Sequence, residues 1–273
     1  MHSCEVTHYE GPSHRLPSIP ASFMSTDQRS CLVCYLKHYI DLNEVDQGLI
    51  AELEQEERSV TARERVLSGG DAVRMLFVIK SGWLFQDTDL ADGRRHLVRT
   101  LLPGDVYGLG ELSNTQASTH LTACTDAVIC PFPKAALSAI ILRSPRLAAL
   151  LLNLSARDQV LYVDRLRAAS RMSAKARVLS LLLTMLDRLK VTGEGRGDAM
   201  DLPLNQSEIG DLLGLTNVSV SKAMVDLQQS GVIGRRRSRV TLLDRVAAAE
   251  SVDHVDRYSS LDTAWFPDSS AVR

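Results

Sequence analysis

The sequence predicts an α+β protein: an N-terminal antiparallel β-roll or jelly-roll sensor domain, a long dimerisation helix and a C-terminal winged helix-turn-helix. Three observations carry this. Short β-branched and aromatic segments, punctuated by glycine turns, fill the region from 65 to about 131. An apolar helical period then runs from Pro145 to about Ala169. Finally, the stretch from Gln206 to Ala223 carries every spacing that two helices joined by a tight turn require.

The elements follow in order. The first thirty residues are polar and broken by Gly11-Pro12-Ser13, Pro17 and Pro20, the composition of a flexible tail. A short helix is expected from 43 to about 57. Strands are expected at 65–67, 75–79, 83–87, 96–101, 121–125 and 127–131. Ser68-Gly69-Gly70-Asp71, Ser81-Gly82, Asp92-Gly93 and Pro103-Gly104-Asp105 supply turns between them. Closely spaced strands with such turns suggest a small antiparallel barrel. From Lys134 the period becomes helical. The long segment opens with Pro145, suited to a first helical turn. One of its stripes, Leu147, Leu151, Leu154, Asp158 and Leu161, can pack on the barrel. A second, Leu152, Ser155, Gln159, Tyr162 and Leu166, can pack on another copy of the chain. A further helix runs from its N-cap Ser173 to about Lys190, and residues from 251 onward read as a loose tail.

Composition sets limits. The chain has 273 residues, 45% hydrophobic and 23% charged, with a formal net charge of −2. This is the balance of a soluble globular protein, so any nucleic-acid surface must be a local basic patch. No apolar stretch is long enough to span a bilayer, and the N-terminus lacks an export signal's basic start and apolar run. A cytoplasmic protein with no membrane partner is expected. Five cysteines, Cys4, Cys31, Cys34, Cys124 and Cys130, form an odd set that argues against a disulfide framework. Thiols, metal ligands or buried apolar side chains remain.

The helix-turn-helix can be read residue by residue. Asn205 and Glu208 form a capping box for its first helix, which buries Ile209 and Leu213. Gly210 allows the helices to approach. Gly214 takes the positive φ of the turn, and Leu215 plugs it. Thr216 caps the second helix, and Val220, Ala223 and Leu227 face inward. Two antiparallel core helices would not need Gly214, Thr216 and Val220 together. The second helix then offers Thr216, Asn217, Val218, Ser219, Ser221 and Lys222 to a major groove. Asn217 and Lys222 suit base edges or phosphates, and Val218 a thymine methyl. Arg235, Arg236, Arg237 and Arg239, on a turn between two short expected strands, form a wing suited to phosphates.

A barrel, a long helix and a C-terminal winged helix-turn-helix, in that order, resemble the Crp/Fnr family of bacterial transcription regulators over roughly 42–249. Ile79-Lys80-Ser81-Gly82, Pro103-Gly104-Asp105-Val106-Tyr107-Gly108 and the helix-turn-helix carry the resemblance. It implies a non-enzymatic homodimer that binds a palindromic site in double-stranded DNA and contacts RNA polymerase. It also implies a division into a tail (1–30), a cyclic-nucleotide-binding-like sensor domain (31–144), a dimerisation helix (145–170), a DNA-binding domain (171–250) and a C-terminal tail (251–273). The cyclic-AMP branch holds the phosphate with an Arg-Ser pair. The corresponding stretch here, 113–120, has no arginine, so cyclic AMP is rejected as effector.

The resemblance is nearer to the redox- and oxygen-sensing Fnr-like branch. That branch holds a [4Fe–4S] cluster with three N-terminal cysteines and one in the barrel. Cys130 falls at the barrel position, and Cys31 and Cys34 fall near the N-terminal motif, whose third cysteine is missing. The fourth ligand implied is Cys4, with His38 as the alternative and Cys124 a weaker one. The other reading is a buried Cys130 with inert or redox-active thiols at Cys31 and Cys34. Fnr itself carries glutamate where Val218 stands and arginine where Lys222 stands, so a different half-site is expected. Two further readings stay open. A small molecule or haem could occupy the β-roll, with His96 or His120 involved. Cys31-x-x-Cys34 could also serve a thiol redox enzyme, although no βαβ unit follows it.

Overall fold

The computed structural model describes residues 30–193, 195 and 197–268, so the expected tail at 1–30 lies outside the described residues except for Ser30. The chain opens with helix α1 (Cys31–Lys37), whose N-cap Ser30 accepts from Val33 N at 2.9 Å. Sequence patterning did not anticipate this helix. Leu32, Tyr35 and Leu36 bury its inner face. Helix α2 (Glu44–Leu53) starts at a capping box of Asn43 and Asp46. It ends before the expected 57, because the chain straightens into a strand at Arg58.

Eight strands follow: β1 (Arg58–Val60), β2 (Arg65–Leu67), β3 (Met75–Ser81), β4 (Leu84–Asp89), β5 (Arg95–Leu101), β6 (Val106–Tyr107), β7 (His120–Ala123) and β8 (Ala127–Pro133). They form two four-stranded sheets, β1-β8-β3-β6 and β2-β7-β4-β5, with every pairing antiparallel. Side chains from both sheets, including Phe77, Ile79, Leu84, Leu101, Tyr107 and Ile129, fill the space between them. This is the expected jelly-roll.

After α3 (Ala136–Arg143) comes the long helix α4 (Pro145–Arg171). Its N-cap Ser144 accepts from Leu147 N at 3.1 Å and donates to the buried Asp46 at 2.5 Å. Leu147, Leu150, Leu151 and Leu154 pack into a core shared with α1, α2 and β3. The opposite face leaves Leu152, Val160, Tyr162, Val163 and Leu166 exposed. Helix α5 (Ala174–Val191), capped by Ser173, is the spine of the C-terminal half. Around it lie β9 (Ala199–Asp201), α6 (Gln206–Leu213), α7 (Asn217–Gln229), β10 (Ile233–Arg236), β11 (Arg239–Leu242) and α8 (Arg245–Glu250). Their core also includes Trp83, Phe85, Leu97, Leu102 and Cys124 of the barrel half, so the two halves pack directly together.

The loose tail expected from 251 is corrected over its described part. Arg257 pairs with Asp164 of α4 at 2.9 Å, and Tyr39, just past the end of α1, donates to Tyr258 O at 3.1 Å. Asn153 donates to Asp262 O at 2.8 Å, while Leu261 and Phe266 pack on the core beneath α1 and α4. Aromatic and aliphatic side chains dispersed among polar residues anchor this segment. Among the described residues, no single helix is long and apolar enough to cross a membrane.

Candidate nucleic-acid interface

The capping box of α6 is complete: Asn205 Oδ1 accepts from Glu208 N at 3.0 Å, and Glu208 Oε2 accepts from Asn205 N at 2.9 Å. Glu208 has a second role that sequence patterning missed. It is 2% exposed and takes an ion pair from Arg63 at 2.5 Å, with Arg95 at 3.9 Å, tying α6 to the barrel. A Cβ at Gly210 would lie 2.6 Å from Leu215 O, which accounts for glycine where the helices meet. Gly214 ends α6 at φ +63°. Thr216 Oγ1 accepts from Ser219 N at 3.1 Å and starts α7. The buried face of α6 differs from expectation in one residue. Ile209 and Leu212 are buried, whereas Leu213 is only half-buried beside α5, where its carbonyl accepts from Arg177 at 3.1 Å.

Val220, Ala223, Met224 and Leu227 bury the inner face of α7. Its opposite face leaves Asn217, Val218 and Lys222 exposed, with Ser219 and Ser221 half-buried beside them. Val218, an aliphatic side chain, is 78% exposed. Thr216 is exposed too, but its hydroxyl is engaged with Ser219. The wing is an antiparallel hairpin of β10 and β11, with Arg235 opposite Val240 and Arg236 opposite Arg239. The short strand β9, missed in the sequence, adds a third strand. Arg237 turns the wing at φ +55°, and all four wing arginines are exposed. Arg239 stands 3.7 Å from Asp201, an exposed pair that a phosphate can displace at little cost.

The cysteines are dispersed differently. Cys31 is half-buried and Cys34 exposed on α1, while Cys130 is fully buried on β8. Burial, then the carboxylate of Glu54, pushes the Cys130 thiol up to about 11. Cys124 is buried on the other side of the barrel, and burial, then Glu208, pushes it up to about 12. Among the described residues, no group of three or more His, Cys, Asp or Glu is placed to hold a metal ion. The described thiols therefore do not fit a cluster, and Cys4 lies outside the described residues. His38 meets Ser259 O at 3.1 Å instead. In the barrel, His96 is exposed, and His120 is held between Gly69 N and Asp89.

Comparison with known proteins follows the same division. Residues 57–144 match the cyclic nucleotide-binding domain family, and residues 176–247 match the Crp-like helix-turn-helix domain family. The transcriptional activator protein FnrL of Cereibacter sphaeroides is 28% identical over 219 residues, 77% of this chain and 88% of that protein. The nitrogen fixation regulation protein FixK of Bradyrhizobium diazoefficiens is 28% identical over 216 residues, 78% of this chain and 90% of that protein. The structure of FixK2 from Bradyrhizobium japonicum superposes with a TM-score of 0.64 at 26% identity, covering 71% of this chain and 96% of that one. With the jelly-roll, the long helix and the winged helix-turn-helix in this order, and both halves matched, the chain belongs to the Crp/Fnr family of DNA-binding transcription regulators.

Proposed function

We propose that the chain works as a homodimer joined along α4, reading a palindromic DNA site with α7 and taking a redox input at α1. The observation that carries the dimer is the apolar stripe on α4. Leu152 is 63% and Leu166 70% exposed, although Leu147, Leu151 and Leu154 of the helix's other stripe are buried in its own protomer. Paired with a second copy, Leu152, Ser155, Gln159, Tyr162 and Leu166 form a seam. In this reading 31–144 is the sensor, 145–170 the seam and 171–250 the DNA-binding unit. RNA polymerase is the partner of the DNA-bound dimer. Asn217, Val218, Ser219, Ser221 and Lys222 face base edges, Thr216 orients the first turn, and Arg235, Arg236, Arg237 and Arg239 grip phosphates. Sedimentation of Leu166→Glu tests the seam: monomers are expected, and an unchanged dimer contradicts it.

The redox input is supported by the position of α1. This helix carries Cys31 and Cys34, and its Tyr35 contacts Arg157 of α4 and Arg188 of α5. A chemical change at its thiols can therefore reach both the seam and the DNA-binding half. Relatives named as anaerobic regulatory proteins agree with such an input. The absence of an arginine from 113–120 supports an effector other than cyclic AMP. The test compares DNA affinity in dithiothreitol and in a thiol oxidant, for the wild type and Cys34→Ser. A redox-dependent affinity lost in Cys34→Ser is expected; equal affinity in both conditions contradicts the input.

A further inference from the structure

A cavity of about 510 Å³ lies outside both the barrel interior and the DNA-facing surface. The last turns of α4, the middle of α5, the end of α6, β5 and the segment 254–258 line it as a cleft open to solvent on one side. Leu161, Leu166, Ala169, Met172, Leu181 and Leu213 give it largely apolar walls. Its size suits a small organic molecule, for which sites of about 300–1,000 Å³ are usual.

The charges of the lining are unevenly matched. Asp164 is paired with Arg257 at 2.9 Å. Asp187 is paired twice, with Arg245 and with His254, both at 2.6 Å. Arg165 and Arg177, also in the lining, have no carboxylate within ion-pair distance among the described residues. Arg165 donates to the carbonyl of Val98. Arg177 donates to the carbonyls of Met172, Ala169 and Leu213, closing the ends of α4 and α6. A guanidinium has five N–H donors, so Arg165 retains several for a ligand. Burial is unfavourable for a cation and pulls the Arg165 pKa down, although the Asp158 carboxylate acts on it from beyond ion-pair distance.

We propose that this cavity binds a small organic carboxylate with an alkyl or aryl body, its head on Arg165 and its body among the leucines. Arg177 adds a second positive charge to the lining. Such a ligand would bridge α4, α5 and α6, the three helices that set the reading head against the seam. Tyr162 and Leu166 belong to both the lining and the exposed stripe of α4, so cavity and seam adjoin. The site does not depend on the redox reading and is tested without DNA.

The test uses the full chain and the fluorescent aryl sulfonate 1-anilinonaphthalene-8-sulfonate, displaced by decanoate or by uncharged 1-decanol. Saturable fluorescence is expected, with decanoate displacing the probe at a concentration about tenfold below 1-decanol. Arg165→Gln should weaken decanoate by about tenfold, the loss of one charge-assisted hydrogen bond. Ser180→Phe, which fills the cavity without touching a charge, should also weaken it, with circular dichroism confirming that each variant is folded. Equal displacement by decanoate and 1-decanol, or wild-type binding in folded Ser180→Phe, would overturn the proposal.

Discussion

Arg188 of α5 donates to Asp105 of the turn between β5 and β6, Nη2 to Oδ1 at 2.9 Å, with Arg188 only 3% exposed. The same nitrogen donates to Pro103 O at 2.7 Å, and the guanidinium lies 4.1 Å over the ring of Tyr35. Tyr35 in turn accepts from Arg157 of α4 at 2.7 Å, and Arg157 lies 4.5 Å over the ring of Tyr258. Two buried cations thus join the barrel, α1, α4, α5 and the C-terminal segment. Removing one partner of such a pair leaves a charge that the interior solvates poorly.

Asp105→Ala is therefore expected to destabilise the protein by about 3–5 kcal/mol, because Arg188 remains buried without its carboxylate. Replacing both, as Asp105→Ala with Arg188→Met, should recover part of that loss. Urea denaturation measures the cycle, and equal, additive losses would show that the pair is not coupled.

The docked C-terminal segment gives a second prediction. Burial pushes the Tyr258 hydroxyl above its ordinary pKa, and its ring covers Arg157. Tyr258 is half-buried, so Tyr258→Ala should cost about 1–3 kcal/mol, less than a large aromatic side chain removed from a full core. A change below about 0.5 kcal/mol in thermal or urea unfolding would mean that the segment is loose.

At the helix-turn-helix, Gly214→Ala should cost about 1 kcal/mol, since φ +63° disfavours a Cβ. Gly210→Val should cost more and weaken DNA binding, because its Cβ meets Leu215 O. Comparing unfolding and DNA titration of both variants checks the order, which reverses if the helices separate without penalty.

Cys130 predicts a pH dependence. Its folded pKa, about 11, lies above that of an unfolded thiol, so folding favours the protonated form. The stabilisation is complete below about pH 9 and is lost as pH rises towards 11. Cys130→Ala should remove this part of the alkaline decline, which unfolding midpoints at pH 8 to 11 would show. Iodoacetamide should label the exposed Cys34 well before Cys130, and equal labelling rates contradict the buried placement.

The reading head was legible in the sequence because its rules are local. Asn205, Gly214 and Thr216 each act on neighbours within about one helical turn. Glycine turns likewise marked most jelly-roll strands. What escaped depends on distant partners. Leu32, Tyr35 and Leu36 make α1 stable through contact with the barrel, but seven residues show no clear period. The segment from 251 read as a tail because the partners of its anchors Tyr258 and Phe266 lie far away in the sequence. Glu208 was legible as a cap, whereas its partner Arg63 is 145 residues away. The cysteine spacing suggested a shared ligand set, which the described fold does not assemble.

In the proposed dimer joined along α4, α7 reads DNA twice, once from each protomer. The most direct test is selection of the full chain on duplexes with a randomised centre, followed by sequencing of the retained DNA. Enrichment of two inverted half-sites whose centres lie about one helical turn apart, about 10 base pairs, is expected. Val218→Glu should change the preferred base in both halves. Retained DNA with no sequence preference, or with a single asymmetric half-site, would contradict this twofold reading.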